Sequence, residues 1–259
     1  MSEHRKEKRT PTTSLCDQNE TQIFVRGVDL VNDLMGVHSF TEVFYFLACG
    51  KLPTKPQTQI LDACLVTLME HGINPSTIVA RLISGTNPEE PQVAIAVGLL
   101  AIGGKFGGTA EQSATVLTEL EKDVSSSGES AILKTAQRLI GSGAPIPGFG
   151  HLHHKPNDPR SPRLIAISES TGIPLPYTTL LQKLSKEIDV IKGRHLTINA
   201  TGAIGALLLD IGIPISAIRS VAVISRSAGL AGHLVEESNN PAALTIWRAS
   251  RDAVPYASE

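Results

Sequence analysis

The loop at 148–160 concentrates the residues of this chain that could do chemistry. It reads Gly-Phe-Gly-His-Leu-His-His-Lys-Pro-Asn-Asp-Pro-Arg. Glycines 148 and 150 allow the backbone to approach a ligand closely, and His151 can exchange a proton near neutral pH. Arg160 offers a planar fork for a carboxylate or a phosphate. A merely solvated polar loop would explain a single histidine, but it explains the whole cluster poorly. The loop therefore predicts a site for an anionic ligand.

Other polar clusters also interrupt the helical background of the chain. His71 follows a helical pattern, where the dipole at a helix C-terminus could alone account for a histidine. Asn199 to Thr201 precede a helical run rich in alanine, glycine and leucine. Arg226 lies inside an apolar helical pattern, and because an unpaired buried guanidinium is costly, we expect it to meet either a protein carboxylate or a substrate carboxylate.

A metal site is not predicted from the histidines. The run His-x-His-His at 151–154 lacks both a helical His-x-x-x-His pair and a nearby acidic triad.

Helical periodicity dominates the segments that must position these clusters. The predicted helices are 60–69, 91–104, 109–124, 129–140, 176–191, 200–211 and 216–236. The segment 91–104 is apolar almost throughout and suits the centre of a helical core. Only 22–25 resembles a strand, and because aromatic residues make up 4% of the chain, the core must be aliphatic. These patterns predict a mostly α-helical fold.

Composition limits the possible partners and locations. With 259 residues the chain can bury a sizeable core, and a net charge of -2 gives no general reason to bind nucleic acid or an anionic membrane. No apolar run reaches the roughly 20 residues that span a bilayer. The polar residues 1–20 predict a flexible N-terminal arm without the apolar segment of a secretory signal. Three scattered cysteines argue against a disulfide framework. A cytoplasmic location is expected.

Taken in order, the motifs resemble the citrate synthase superfamily, and more closely its short branch, the citryl-CoA lyases and the lyase module of ATP-citrate lyase. The resemblance runs from about residue 23 to the C-terminus. Residues 47–54 resemble the motif Leu-x-x-Gly-x-Leu-Pro-Thr, and His71 with 74–77 falls at a substrate-contacting histidine of the family. The loop 148–160 resembles the Gly-Phe-Gly-His through Asp-Pro-Arg motif, and Arg226 falls at a carboxylate-binding arginine.

The resemblance implies an all-α homodimer. A large helical domain (21–105 and 216–259) and a smaller helical domain (106–215) would close the cleft over acyl-CoA. The implied reaction makes or breaks the carbon-carbon bond between an acetyl-CoA-type enolate and an oxaloacetate-like keto acid. The implied partners are a small-molecule carboxylate and a coenzyme A thioester that is substrate or product, with no permanently bound cofactor, no metal, no nucleic acid and no membrane.

The resemblance also implies residue roles. His151 would donate to the thioester oxygen and His71 to the other oxygen, while arginines hold the carboxylates. The implied roles are catalysis for His71, His151 and Thr201; substrate binding for Arg160, Arg226, Asn199 and Phe106; and coenzyme A binding for Gly148, Gly150, His154 and Lys155. Arg248 or Arg251 could reach a partner's site, as a C-terminal arginine does in the family.

Two departures from the family pattern bear on mechanism. Phe106 stands where synthases have an enolising histidine, as in the short lyases, which favours a lyase. Thr201 stands where the family has its aspartate general acid/base, and a hydroxyl has no titratable proton near pH 7. His153, His154 or Asp158 could replace that base. Asp210 is a poor substitute, because nine residues along a helix places it on the opposite face and about 13 Å away.

Leu152 departs from the family as well, standing where the loop has a basic arginine. Two alternatives to a citryl-CoA lyase-like enzyme stay open, the first of them motivated by the lost aspartate. One is a non-catalytic relative that binds a coenzyme A ester or a polycarboxylate. The other is a repurposed scaffold that performs decarboxylation or retro-aldol chemistry without coenzyme A.

Overall fold

The computed structural model describes residues 10–104 and 108–257. The predicted substrate residue Phe106 lies outside these ranges. The chain divides into two compact units, Met1–Thr54 and Lys55–Glu259. All other predicted site residues belong to the second unit.

The first unit contains a small antiparallel sheet and one α-helix. Strands β1 (Cys16–Gln18), β2 (Ile23–Val25) and β3 (Val28–Asp29) pair in the order β1-β2-β3. A π-helical turn, Leu30–Leu34, and helix α1 (Phe40–Cys49) follow. Ser39 and Glu42 form a capping box at the start of α1, and Gly50, with φ of 76°, ends it.

The sequence pattern identified only the central strand of this sheet. Strands of two or three residues are too short for an alternating pattern to register. Strand β1 lies within the segment predicted as a flexible arm, but its backbone pairs with β2 from Cys16 to Gln18.

Among the described residues of the second unit, the regular elements are all α-helices, apart from an isolated β-bridge between Phe149 and Ile198. They are α2 (Lys55–Met69), α3 (Pro75–Thr86), α4 (Pro91–Leu100), α5 (Thr109–Ser127), α6 (Ser130–Gly141), α7 (Arg160–Ser170), α8 (Pro176–Lys192), α9 (Ala200–Asp210), α10 (Ile215–Asn239) and α11 (Ala243–Ala253). The predicted helical class is confirmed, and each of the seven predicted helices is present. Helices α3, α7 and α11 had no individual prediction.

Helix α9 is the most deeply buried element around the site. Its residues from Gly202 to Leu208 are all buried, and α5 and α8 supply Leu117, Leu181 and Ile188 to the same core. Small residues let α9 approach α5 closely: a Cβ at Gly205 would lie 2.6 Å from the carbonyl oxygen of Ala110.

The expectation that 91–104 forms the core centre is wrong for the single chain. Helix α4 ends at Leu100, buries only Ala94 and Gly98, and leaves Leu100 78% exposed. A helix that is apolar on all sides carries no pattern that says which face finds a partner. Among the described residues, no helix combines the length and apolar character needed to cross a bilayer.

Candidate functional site

The segment after α2 fixes the backbone of His71. Glu70 Oε1 accepts the N–H of His71 at 2.8 Å and that of Gly72 at 2.6 Å. Asn74 then caps α3, accepting from the N–H groups of Ser76 and Thr77. His71 is therefore held between a helix end and a capped helix start, two rigid elements on either side of a short turn.

The loop 148–160 is anchored to the segment preceding α9. The N–H of Gly150 donates to the carbonyl of Thr197 at 2.8 Å, and the N–H of Asn199 donates to the carbonyl of Gly148 at 3.0 Å. Gly148 has φ of 85°, a conformation that favours glycine. A Cβ at Gly202 would lie 2.8 Å from Gly148 Cα, so both glycines are needed where the loop meets α9.

Asn199 and Thr201 form the cap of α9. Asn199 Oδ1 accepts from the Thr201 hydroxyl at 2.8 Å and from the N–H of Gly202 at 3.0 Å, while its Nδ2 donates to the carbonyl of Gly150 at 2.9 Å. An amide oxygen cannot take a proton from a hydroxyl at neutral pH. The Thr201 hydroxyl therefore has no activating base in this arrangement, and it serves the helix cap.

Three histidines converge at the site. His71 Nε2 lies 3.4 Å from His154 Nε2, although 83 residues separate them. The rings of His151 and His154 stack with centroids 4.3 Å apart, and His71 and His151 meet edge to face at 5.9 Å. His153 is exposed, with its ring 6.0 Å from that of His151. Of the three groups named as substitutes for the missing aspartate, His154 is the one that joins His71 and His151.

Hydrogen bonds determine the tautomer of His151. Its Nδ1 accepts the backbone N–H groups of His153 at 3.1 Å and His154 at 3.0 Å. A nitrogen that accepts two N–H groups carries no proton, so the neutral ring carries its proton on Nε2. That N–H faces Arg160 Nη2, another donor, at 3.4 Å. Two donors cannot bond each other, so together they present a place for a shared acceptor.

Asp158 orients Arg160. Its carboxylate accepts from Arg160 Nε at 2.9 Å and Nη2 at 2.8 Å, and from the N–H of Ala200 at 2.9 Å. Complete burial disfavours the charged carboxylate and raises its pKa, but these hydrogen bonds have the larger effect and lower the pKa of Asp158 to about 2. Asp158 is thus a permanently ionised clamp and not a general base, and it leaves Arg160 Nη1 and the second N–H of Nη2 for a substrate.

Both catalytic candidates among the histidines are held neutral. Burial is the main cause that lowers the pKa of His71, and the positive charge of Arg160 adds to it. Burial also lowers the pKa of His151, followed by the effect of His154. At neutral pH these rings are therefore hydrogen-bond donors and acceptors and not cations.

Arg226 reaches the same region from α10. Its Nη1 lies 3.9 Å from Glu70 Oε2, too far for a hydrogen bond, and this buried nitrogen has no hydrogen-bond partner among residues 10–104 and 108–257. Burial lowers the pKa of Arg226, and Glu70 opposes that shift. Arg226 thus has an acid neighbour, yet it retains a donor for an anion.

The three imidazoles could also be considered as metal ligands. One nitrogen from each of His71, His151 and His154 lies within 4.8 Å of the others. However, His151 Nδ1 accepts two N–H groups and Nε2 carries the proton, so neither nitrogen offers a free lone pair. This hydrogen bonding favours donor chemistry at His151.

Four residues beneath the site had no predicted role. Arg81, buried in α3, donates from Nε to His233 Nδ1 at 3.0 Å and from Nη1 to Glu237 at 2.8 Å, and it also pairs with Glu236. The sequence offered one signal, because Arg81 interrupts an apolar helical run as Arg226 does. The partners on α10 lie about 150 residues away and could not be assigned from spacing.

The remaining predicted positions have simpler surroundings. Lys155 is exposed on the loop. Asp210 accepts from the N–H groups of Tyr177 and Thr178 and from the Thr178 hydroxyl, which caps α8. Its use there agrees with the expectation that Asp210 does not replace the missing aspartate.

Comparisons with known proteins agree on one family. The family model described as citrate synthase, C-terminal domain, matches residues 55–250. The solved structure of citryl-CoA lyase from Hydrogenobacter thermophilus superimposes with a TM-score of 0.86 at 29% identity, covering 97% of this chain and 96% of that one. ATP citrate lyase from Methanothrix soehngenii, in complex with citrate and coenzyme A, has the same fold with a TM-score of 0.76 at 21% identity, covering 97% of this chain and 42% of that one.

Among curated relatives, the probable ATP-citrate synthase of Dictyostelium discoideum is 23% identical over 273 residues. The match covers 96% of this chain and 42% of that protein. The chain therefore spans less than half the length of this relative.

Proposed function

This chain belongs to the citrate synthase family, and from that premise and the geometry of the site we propose that it cleaves a citryl-CoA-like thioester into an acetyl-CoA-type product and an oxaloacetate-like keto acid. The observation that carries the proposal is the convergence of His71, His151 and His154 beside Arg160 and Arg226. The likeness to a citryl-CoA lyase over nearly the full length of both chains supports the cleavage direction.

The proposed reaction needs one proton to move. A base takes the proton of the tertiary hydroxyl, the adjacent carbon-carbon bond breaks, the alkoxide becomes the ketone, and the electron pair passes into the thioester enolate. The same group then returns the proton to the enolate carbon, which becomes the methyl group of the acetyl product. Atoms and charge balance without another reactant.

We assign that proton shuttle to His154. Thr201 donates to an amide oxygen and Asp158 is tied up by Arg160, so neither supplies a base. His154 lies 3.4 Å from His71 and stacks on His151, which places it among the other candidate groups. His151, protonated on Nε2, stabilises the enolate oxygen, and His71 acts at the keto oxygen.

Charged groups would hold the carboxylates. Arg226 offers the buried Nη1, and Arg160 offers Nη1 and the second N–H of Nη2. The coenzyme A thioester would be a substrate and not a resident cofactor, with Gly148, Gly150 and Lys155 predicted to contact it. A homodimer, domain closure over the cleft and a cytoplasmic location belong to the same proposal.

The test is a cleavage assay on the purified full chain with citryl-CoA, with oxaloacetate release followed by a coupled reduction. His154→Gln should lower kcat by about 100-fold or more, because it removes a general acid/base. His153→Gln is the matched control, since this exposed neighbour should leave kcat unchanged. Equal turnover by wild type and His154→Gln would refute the assignment of the base.

A binding role is the second candidate. It is favoured by Thr201 in the cap of α9 and by the occupied fork of Arg160. Calorimetry that finds tight binding of citryl-CoA by a protein that does not cleave it would establish this alternative and overturn the lyase proposal.

A further inference from the structure

A polar chain runs through the second unit beneath the candidate site. It links Arg81 on α3, His233 on α10 and Glu70 beyond α2. Arg81 and His233 are deeply placed, with side chains 4% and 12% exposed, whereas the side chain of Glu70 is 44% exposed. Buried charged groups are costly, so an arrangement of this kind needs partners for each member.

Arg81 determines the protonation of His233. Its Nε lies 3.0 Å and its Nη2 lies 2.7 Å from His233 Nδ1. Arginine has only donors, so His233 Nδ1 must present its lone pair, and the ring proton must sit on Nε2. The charge of Arg81 is balanced by Glu237, at 2.8 Å, and by Glu236. These carboxylates hold the guanidinium in place, and His233 supplies its Nδ1 lone pair to it.

The nitrogen of His233 that carries the proton, Nε2, points towards Glu70. His233 Nε2 lies 3.0 Å from Glu70 Oε2, although the pair is not aligned for a hydrogen bond and this nitrogen has no other partner within the described part of the chain. Burial pushes the pKa of Glu70 up, but contacts with His233 and with the backbone of His71 and Gly72 outweigh it and lower the pKa.

Glu70 uses its two oxygens for different tasks. Oε1 accepts the N–H groups of His71 and Gly72, while Oε2 lies between His233 Nε2 and Arg226 Nη1. Packing holds the two segments together, because a Cβ at Gly229 of α10 would collide with the carbonyl oxygen of Met69 and lie 3.1 Å from Glu70 Oε2. A shift of Glu70 would thus move His71 and change the surroundings of Arg226.

We propose that His233 is a positioning residue for His71: held by Arg81 in the Nε2-protonated tautomer, it fixes the carboxylate of Glu70 that caps the backbone of His71. The inference rests on the proposed function, in which His71 acts on the substrate. His233 itself does not touch the substrate in this scheme.

The first test is nuclear magnetic resonance of the full chain labelled with 15N-histidine. His233 should show the pattern of a neutral ring protonated on Nε2, and His71, assigned with His71→Gln, should titrate below its ordinary value. His233→Gln keeps both an acceptor for Arg81 and a donor for Glu70, so His71 should titrate as in wild type. His233→Leu removes both, and His71 should then titrate closer to its ordinary value.

Cleavage of citryl-CoA gives the second readout. His233→Leu should lower kcat by roughly 10- to 100-fold with little change in KM, because it misplaces a reacting group. His233→Gln should restore most of kcat. Glu70→Ala, at a half-exposed position that folding tolerates more easily, breaks the same link and should also change the titration of His71.

Two results would overturn the inference. One is a His233 ring protonated on Nδ1. The other is a His71 titration that neither His233→Leu nor Glu70→Ala changes in folded protein. If wild type fails to cleave citryl-CoA, the proposed function fails, but the resonance measurements still decide whether His233 positions His71.

Discussion

Gly202→Ala tests whether the contact between the loop 148–160 and α9 holds the site together. The new Cβ would lie 2.8 Å from Gly148 Cα and closer still to its carbonyl oxygen, whereas ordinary contacts of this kind begin at 3.4 Å. The loop or the helix must therefore move by at least the 0.6 Å between these two distances. Gly148 is three residues from His151, so the displacement reaches the reacting groups.

Gly202→Ala should reduce activity much more than it reduces stability. Alanine improves helix propensity over glycine by about 1 kcal/mol, while overpacking costs about 1–3 kcal/mol, so the net loss in the free energy of unfolding should stay below about 2 kcal/mol. Misplacement of a catalytic group by about 1 Å can cost on the order of 100-fold in rate. Cleavage of citryl-CoA should thus fall by roughly 10- to 100-fold in a protein that remains folded.

The assay combines kcat/KM for cleavage with urea unfolding. Gly141→Ala is the control, because a Cβ at Gly141, also in a helix, meets nothing within 4 Å. It should keep full activity and be as stable as wild type or slightly more stable. Unchanged activity in Gly202→Ala would show that the loop does not depend on this contact, and the geometric reasoning would be wrong.

Three further predictions follow from named contacts. In the His154→Gln background, adding Thr201→Asp should restore part of the lost cleavage, because it returns a carboxylate to the position of the family's aspartate. A double variant as inactive as His154→Gln in the cleavage assay would contradict this prediction. Asp158→Asn should lower the free energy of unfolding by about 2 kcal/mol at neutral pH, because the lowered pKa of Asp158 stabilises the folded state above pH 3.8. In urea unfolding, the difference from wild type should vanish as the pH falls to about 2. A difference that does not depend on pH would refute this reasoning. Asp210→Ala should lower the free energy of unfolding by about 1–2 kcal/mol, because it removes the cap of α8. Thermal unfolding would be compared with that of Glu169→Ala, a control at an exposed position. Equal stability of the two variants would exclude the capping role.

The amino-acid sequence determined the helical class and the location of the chemistry. Helices are recognised by apolar residues at helical spacing and by residues that end a helix, and both signals are local in the sequence. Helices α2, α5, α6, α8, α9 and α10 could therefore be predicted. The loop 148–160 could be identified because glycines, histidines and an arginine are adjacent in the chain. Family resemblance then connected this loop with His71 and Arg226.

The tertiary structure decided which side chains meet. His154 joins His71 across 83 residues, and Arg81 meets His233 across 152 residues. The same packing tied Asp158 to Arg160 and so removed it as a base, a choice that the sequence had left open among three residues. Turn and helix signals are local, but pairing between distant side chains depends on how the helices pack, and no spacing in the sequence encodes that.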